Sequence, residues 1–120
     1  MKPKPPLEKT EQAAIVRTLR ALGWDVYVLG HPSPRDGRRF RGTGQTPGIP
    51  DLLAFGPERR YGGPLRRMVW IECKRQGGKL RIEQVAFRHQ CVEAGVDHIV
   101  GTAADVRAWL VREGYVKEAA

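Results

Sequence analysis

The segment MVWIECK, Met68 to Lys74, limits the fold more than any other stretch of the chain. In a strand, Met68, Trp70, Glu72 and Lys74 share one face, and Val69, Ile71 and Cys73 take the other. Both faces begin apolar, so both must be covered, and such a strand belongs inside a sheet packed between layers. Its end breaks the apolar pattern. Glu72 and Lys74 point the same way, about 7 Å apart at Cα. They lie at the carboxyl end of the strand, where sites in α/β sheets concentrate. A structural ion pair, or a strand end in water, would leave the same pattern.

The rest of the chain supplies partners for this strand. Its 120 residues fit one domain with one core, and a hydrophobic content of 41% suits a folded globule. Residues 1–6 read as a flexible Pro/Lys tail and 7–120 as a single domain. A helix is predicted from Leu7 or Glu8 to Leu22, stopped by Gly23. Strands follow at Trp24–Leu29 and Asp51–Phe55, separated by a long Gly/Pro/Arg loop over 30–48. A second basic loop, 56–67, leads into the Met68–Lys74 strand. After Gly77-Gly78 come a helix over Ile82–Ala94, ended by Gly95, and a strand at Asp97–Gly101. A last helix runs to about Arg112, with Thr102 as its N-cap and Asp105 as capping partner. The order αβββαβα predicts an α/β fold, a mixed central sheet with helices on both faces. The first three strands connect as antiparallel neighbours; the last follows a helical crossover and runs parallel to WIECK.

Polar residues interrupt the apolar stripes at one end of this arrangement. On the first helix Ile15, Leu19 and Leu22 form a stripe, which continued backward reaches Glu8 and Gln12. Glu8 lies almost at its centre and Glu11 on its flank, roughly 60° away. Acids also favour helix N-termini for dipole and capping reasons. On the second helix Phe87, Cys91 and Ala94 form the stripe that Gln84 continues; a Gln at a helix start also needs no further role. Asp51 follows Pro50, a common turn pairing, yet opens the strand expected beside WIECK. Singly each residue has an ordinary explanation. Together Glu8, Asp51, Glu72 and Lys74 are placed to converge at one end of one sheet. Clustered carboxylates repel unless protonated or bound to a cation. Oxygen ligands suit Mg²⁺ or Mn²⁺, which can polarise a phosphoryl oxygen, while a lysine offsets developing charge.

Charge gives this end a partner. The net charge is +8, with Arg35, Arg38, Arg39 and Arg41 in one Gly/Pro-rich segment and Arg59, Arg60, Arg66 and Arg67 in another. With Lys79 after the Gly77-Gly78 break, these are the candidate DNA contacts, because arginine forks suit phosphates. A solvated basic surface is the plainer alternative. Two cysteines, Cys73 and Cys91, are too few for a disulfide framework or a CxxC zinc site, and both fall in apolar patterns. His31, His89 and His98 lack zinc-site spacing. No apolar run approaches a bilayer span, and the N-terminus MKPKPPLEK lacks a signal-peptide core. No membrane association and an intracellular, cytoplasmic location are therefore expected.

Pro50-Asp51, then Glu72-Cys73-Lys74 about twenty residues on, resembles the PD-(D/E)xK nuclease signature. With Glu8-x-x-x-Gln12, GIPDLLAF, WIECKRQGGKL, Gln84 with Phe87, and AGVDHIVGTAADVRAWL, the chain resembles a stand-alone VRR-NUC (virus-type replication-repair nuclease) domain. The likeness runs from residue 8 to about 111. It implies a restriction-endonuclease-like αβββαβα core and metal-dependent hydrolysis of DNA phosphodiesters. It implies Asp51, Glu72 and the Cys73 main-chain carbonyl as metal ligands and Lys74 as the catalytic lysine. Glu8 would support the metal and Gln84 the site, with Glu11 competing for the place of Glu8. Small stand-alone members, from phages and bacteria, are similar to Holliday-junction resolvases and act as homodimers. Branched DNA is thus the expected substrate, in a bacterium or phage-infected host. A flap or nicking nuclease, or an inactive DNA-binding module, is the alternative. An RNA binder would instead place stacking aromatics on an open sheet.

Overall fold

The computed structural model describes residues 3–29, 46–58 and 66–118. Its elements are α1 (Glu8–Ala21), β1 (Asp25–Val28), β2 (Leu52–Phe55), β3 (Met68–Cys73), α2 (Ile82–Ala94), β4 (Asp97–Gly101) and α3 (Ala103–Arg112). The four strands form one mixed sheet in the order β1-β2-β3-β4. β1 pairs with β2 and β2 with β3 antiparallel, whereas β4 lies parallel to β3 after the α2 crossover. Element order and strand directions agree with the pattern in the sequence. The ends are shorter: Trp24, Leu29, Asp51 and Lys74 fall just outside their strands, and Leu7 and Leu22 outside α1. Among the described residues, no helix is long and apolar enough to cross a membrane.

β3 is covered on both faces, as its composition requires. Val69, Ile71 and Cys73 are fully buried in a core with Ile15 and Leu19 of α1 and Val106, Trp109 and Leu110 of α3. The register Leu52–Ile71–Ile99 runs this core across three strands. On the opposite face Trp70 meets Phe87 of α2 edge-on at 5.3 Å between ring centroids, and Phe87 tilts over His98 at 5.7 Å. Burial of each large aliphatic side chain contributes roughly 1.5–3 kcal/mol. The stripe foreseen on α2 is narrower than its sequence suggested, since Ala94 is exposed and Phe87 only half-buried.

Helix ends follow local chemistry. α2 stops at Gly95, whose φ of 68° is left-handed and which a residue with a Cβ adopts only under strain. α3 starts on the reciprocal Thr102–Asp105 box, with Asp105 Oδ2 accepting from the Thr102 amide at 2.8 Å.

Ile71→Ala, at the centre of this core, is expected to lower stability by about 2–5 kcal/mol. Ile82→Ser, on the outer side of α2, is expected to change it by less than about 0.5 kcal/mol. Urea unfolding of both variants checks the contrast.

Candidate active site

The polar residues singled out in the sequence meet where β3 ends, β2 begins, and α1 and α2 start. Leu52 pairs with Ile71, so Asp51 falls beside Glu72. Asp51 Oδ2 accepts a hydrogen bond from the Cys73 main-chain N–H at 2.8 Å. That bond fixes the carboxylate against β3 and makes Asp51 more than a turn residue. The Cys73 thiol points into the core, and burial pushes its pKa far up, so it is not an anionic ligand. Only its main chain faces Asp51.

Glu72 is 3% exposed. Its Oε1 accepts a hydrogen bond from Gln84 Nε2 and lies 3.6 Å from Lys74 Nζ. Its Oε2 is buried and has no hydrogen-bond partner among the described residues. Burial first, and the nearby Asp51 charge second, push the Glu72 carboxyl up to about 7; Lys74 opposes this and Glu8 adds to it. Gln84 has two tasks. It donates to Glu72, and its Oε1 accepts from the Arg81 main-chain N–H at 2.8 Å, capping α2. The capping role and the site role are the same side chain seen from its two ends.

Lys74 is buried and its ammonium lies between two acids, Glu72 at 3.6 Å and Glu8 at 3.5 Å. Glu8, half exposed, therefore joins the site through Lys74. Glu11 leaves it: its Oε1 accepts from the Ala103 amide at 3.0 Å and ties α1 to the start of α3. This separates two acids that helical spacing alone left in competition.

The arrangement differs in one respect from a nest of three acids. Among the described residues no group of three or more His, Cys, Asp or Glu side chains is disposed to hold a metal ion. The centre is a pair, Asp51 and Glu72, with Glu8 as a satellite on the lysine. A pair suits Mg²⁺, which keeps several waters and takes one or two carboxylates plus substrate phosphate. The fit rests on Glu72 Oε2: a buried carboxylate oxygen without a partner is a standing cost that a cation removes.

Glu8, Asp51, Glu72, Lys74, Arg81 and Gln84 line a cavity of about 410 Å³, walled on one side by residues 46–49. Gly48 holds that wall in place. It has φ 92°, and a Cβ there would collide with the Glu83 carbonyl at the start of α2. Arg81 was not singled out in the sequence, and of this wall only Gly48 and Ile49 were, within GIPDLLAF. Gly-Ile-Pro looked like a simple lead into a strand, and Arg81 stands just before the first helical residue, outside any stripe.

The basic residues divide. Arg35, Arg38, Arg39, Arg41, Arg59, Arg60 and His31 lie outside the described residues. Arg66 and Arg67, expected at a DNA surface, are engaged within the fold. Arg66 pairs with Asp25 at 2.5 Å and donates to the Gly56 and Phe55 carbonyls. Arg67 pairs with Asp97 at 2.6 Å and Glu113 at 3.2 Å, over the Trp109 ring. Lys79 is exposed but does not line this cavity. His89 is exposed and pairs with Glu93, while burial and then Arg88 push His98 down to about 4.

Comparison with protein-family models, with curated proteins and with solved structures finds no match to this chain.

The raised Glu72 carboxyl has a definite pH signature. A pKa above the unfolded value means the folded state holds the proton more tightly. The stability this confers is complete below about pH 4.5 and disappears as pH rises through about 7. In metal-free protein the thermal midpoint is therefore expected to fall by several degrees between pH 5 and pH 8. Glu72→Gln should lose most of that fall, and millimolar Mg²⁺ at pH 8 should reverse it in the wild type alone. Melting curves across this range check all three.

Proposed function

We propose that this chain is a metal-dependent DNA endonuclease with a restriction-endonuclease-like core of the VRR-NUC type. The observation that carries the proposal is the meeting of Asp51, Glu72, Lys74 and Gln84 in one cavity, with a Glu72 oxygen buried and without a hydrogen-bond partner among the described residues. Residues from three separate segments supply it, in the order that the PD-(D/E)xK signature requires. Asp51 and Glu72, with the Cys73 main-chain carbonyl, would hold Mg²⁺ or Mn²⁺, and Glu8 would assist from across Lys74. When bound, the ion supplies Lewis-acid charge to a phosphoryl oxygen and acidifies water.

The chain's own groups do the rest. Gln84 holds Glu72 Oε1, so the second oxygen would be left to ligate an ion. The Cys73 amide fixes Asp51 without neutralising it. Lys74 sits in a low-dielectric position where an ammonium acts strongly on a phosphate that becomes more negative in the transition state. Glu8 keeps that ammonium at the cavity side of β3. Branched DNA, cut by a homodimer in the cytoplasm, is the substrate setting we infer from the same likeness. Two-fold symmetry suits a four-way junction, where two strands must be cut.

Asp51→Asn keeps an oxygen to accept from the Cys73 amide but removes the charge. Lys74→Ala removes the ammonium. Each is expected to lower cleavage about 10²–10³-fold while DNA binding stays within a few-fold. Purified protein assayed on four-way junctions, flaps, nicked and linear duplexes, with and without divalent metal, tests this. Near wild-type cleavage by either variant removes that residue from the mechanism. Binding without cleavage of any substrate by the wild type favours the inactive module.

A further inference from the structure

Two cavities flank Lys74, and each carries one arginine. The first holds the candidate centre and is lined by Arg81. The second, of about 520 Å³, lies beyond the carboxyl ends of β3 and β4 and is lined by Arg75, Gln76, Gly77 and Gly78. Lys74 lines both. The chain reaches this arrangement through a tight turn. The Gly78 amide donates to the Arg75 carbonyl at 2.8 Å, and Gly77 has φ 78°. A Cβ on Gly78 would press on that same carbonyl, so the double glycine brings the chain back toward Arg81.

These two arginines differ from four others that are engaged within the fold. Arg20 donates to the Val26 carbonyl, Arg66 and Arg67 are held by acids, and Arg88 is held by His98. Arg75 and Arg81 are exposed and form no ion pair among the described residues. The acids near the second cavity do not neutralise Arg75. Glu11 accepts from the Ala103 amide, and Asp105 from Thr102. A guanidinium left without an acid at the rim of a cavity is a fork presented to an external anion.

We infer that Arg81 seats the phosphate to be cut and Arg75 the adjoining phosphate, so that the nucleic-acid strand passes over Lys74 from one cavity to the other. This rests on the nuclease reading for its chemistry, but not for its contacts. The two arginines have unequal roles. Arg81 shares the cavity of Asp51 and Glu72, so its loss misplaces the reacting group. Arg75 lies beyond Lys74, so its loss weakens binding of substrate and transition state alike.

Arg75→Ala, Arg81→Ala and Arg81→Lys test this, with a four-way junction and a linear duplex as probes. Both side chains are exposed, and Arg81→Ala keeps the main-chain N–H that Gln84 caps, so folding should survive; melting curves check it. In EDTA, each Ala variant is expected to reduce the slope of log K against log salt by about 0.9. With Mg²⁺, Arg81→Ala should lower kcat about 10²-fold, whereas Arg75→Ala should raise KM with kcat nearly unchanged. Arg81→Lys should restore the salt slope but not kcat, because an ammonium lacks the planar fork. Unchanged slopes in both Ala variants, or wild-type kcat in Arg81→Ala, overturn the inference and leave the nuclease reading standing. Reduced slopes in protein that cuts no DNA with Mg²⁺ or Mn²⁺ overturn the nuclease reading and leave the phosphate contacts.

Discussion

The hydrogen bond from Gln84 to Glu72 joins the fold to its candidate chemistry. β3 must be buried on both faces, so its last residues lie inside the protein rather than in water. A carboxylate there is tolerated only if its oxygens are met. Gln84 can meet one because Gly77-Gly78 turns the chain back and α2 begins where β3 ends. The same amide caps α2, so docking the helix and satisfying the carboxylate are one event. The second oxygen is left over. A sheet that needed only stability would carry an apolar residue at this position, since a buried charge with half its partners is worse than none.

Much of this could be seen in the sequence because the signals were periodic. Alternation in MVWIECK, the Ile15–Leu19 stripe and the glycines at 23 and 95 located the elements, and the α2 crossover fixed the direction of β4. Site residues that interrupt a stripe, such as Glu8 and Gln84, were visible as interruptions. Residues outside any periodic element were not. Arg81 and the 46–49 wall gain their place only from tertiary contact, through a glycine that lets a loop touch the first turn of α2. Glu8 and Glu11 could not be separated by helical angle alone. What separates them is the neighbour each meets, Lys74 for one and the Ala103 amide for the other.

Counting arginines does not assign their roles, for a related reason. A cation in a Gly/Pro-rich segment is as available to an internal acid as to a phosphate, and composition does not say which. Arg67 lies beside Asp97 at the start of β4 and Glu113 after α3, and its guanidinium covers Trp109. It closes the end of the sheet opposite the cavity. Arg66 ties β1 to the turn after β2. Arg66 and Arg67 therefore cannot be assigned to a ligand from their place in a basic segment alone.

The acids show the same division. Glu11 and Asp105 satisfy amides at the start of α3, as acids near helix N-termini generally do. Asp51 and Glu72 are placed side by side, where each raises the free energy of the other's charge. A protein that only held a polyanion would gain nothing from two negative groups at the floor of a cavity rimmed by Lys74 and Arg81. Repulsion toward the phosphate would weaken binding, and burial of Glu72 would add to the cost. An arrangement of this kind would be intelligible if Asp51 and Glu72 held a divalent ion, as proposed above. Such an ion would turn two repulsive contacts into attractive ones, and the basic rim would then act in the same direction as the acidic floor.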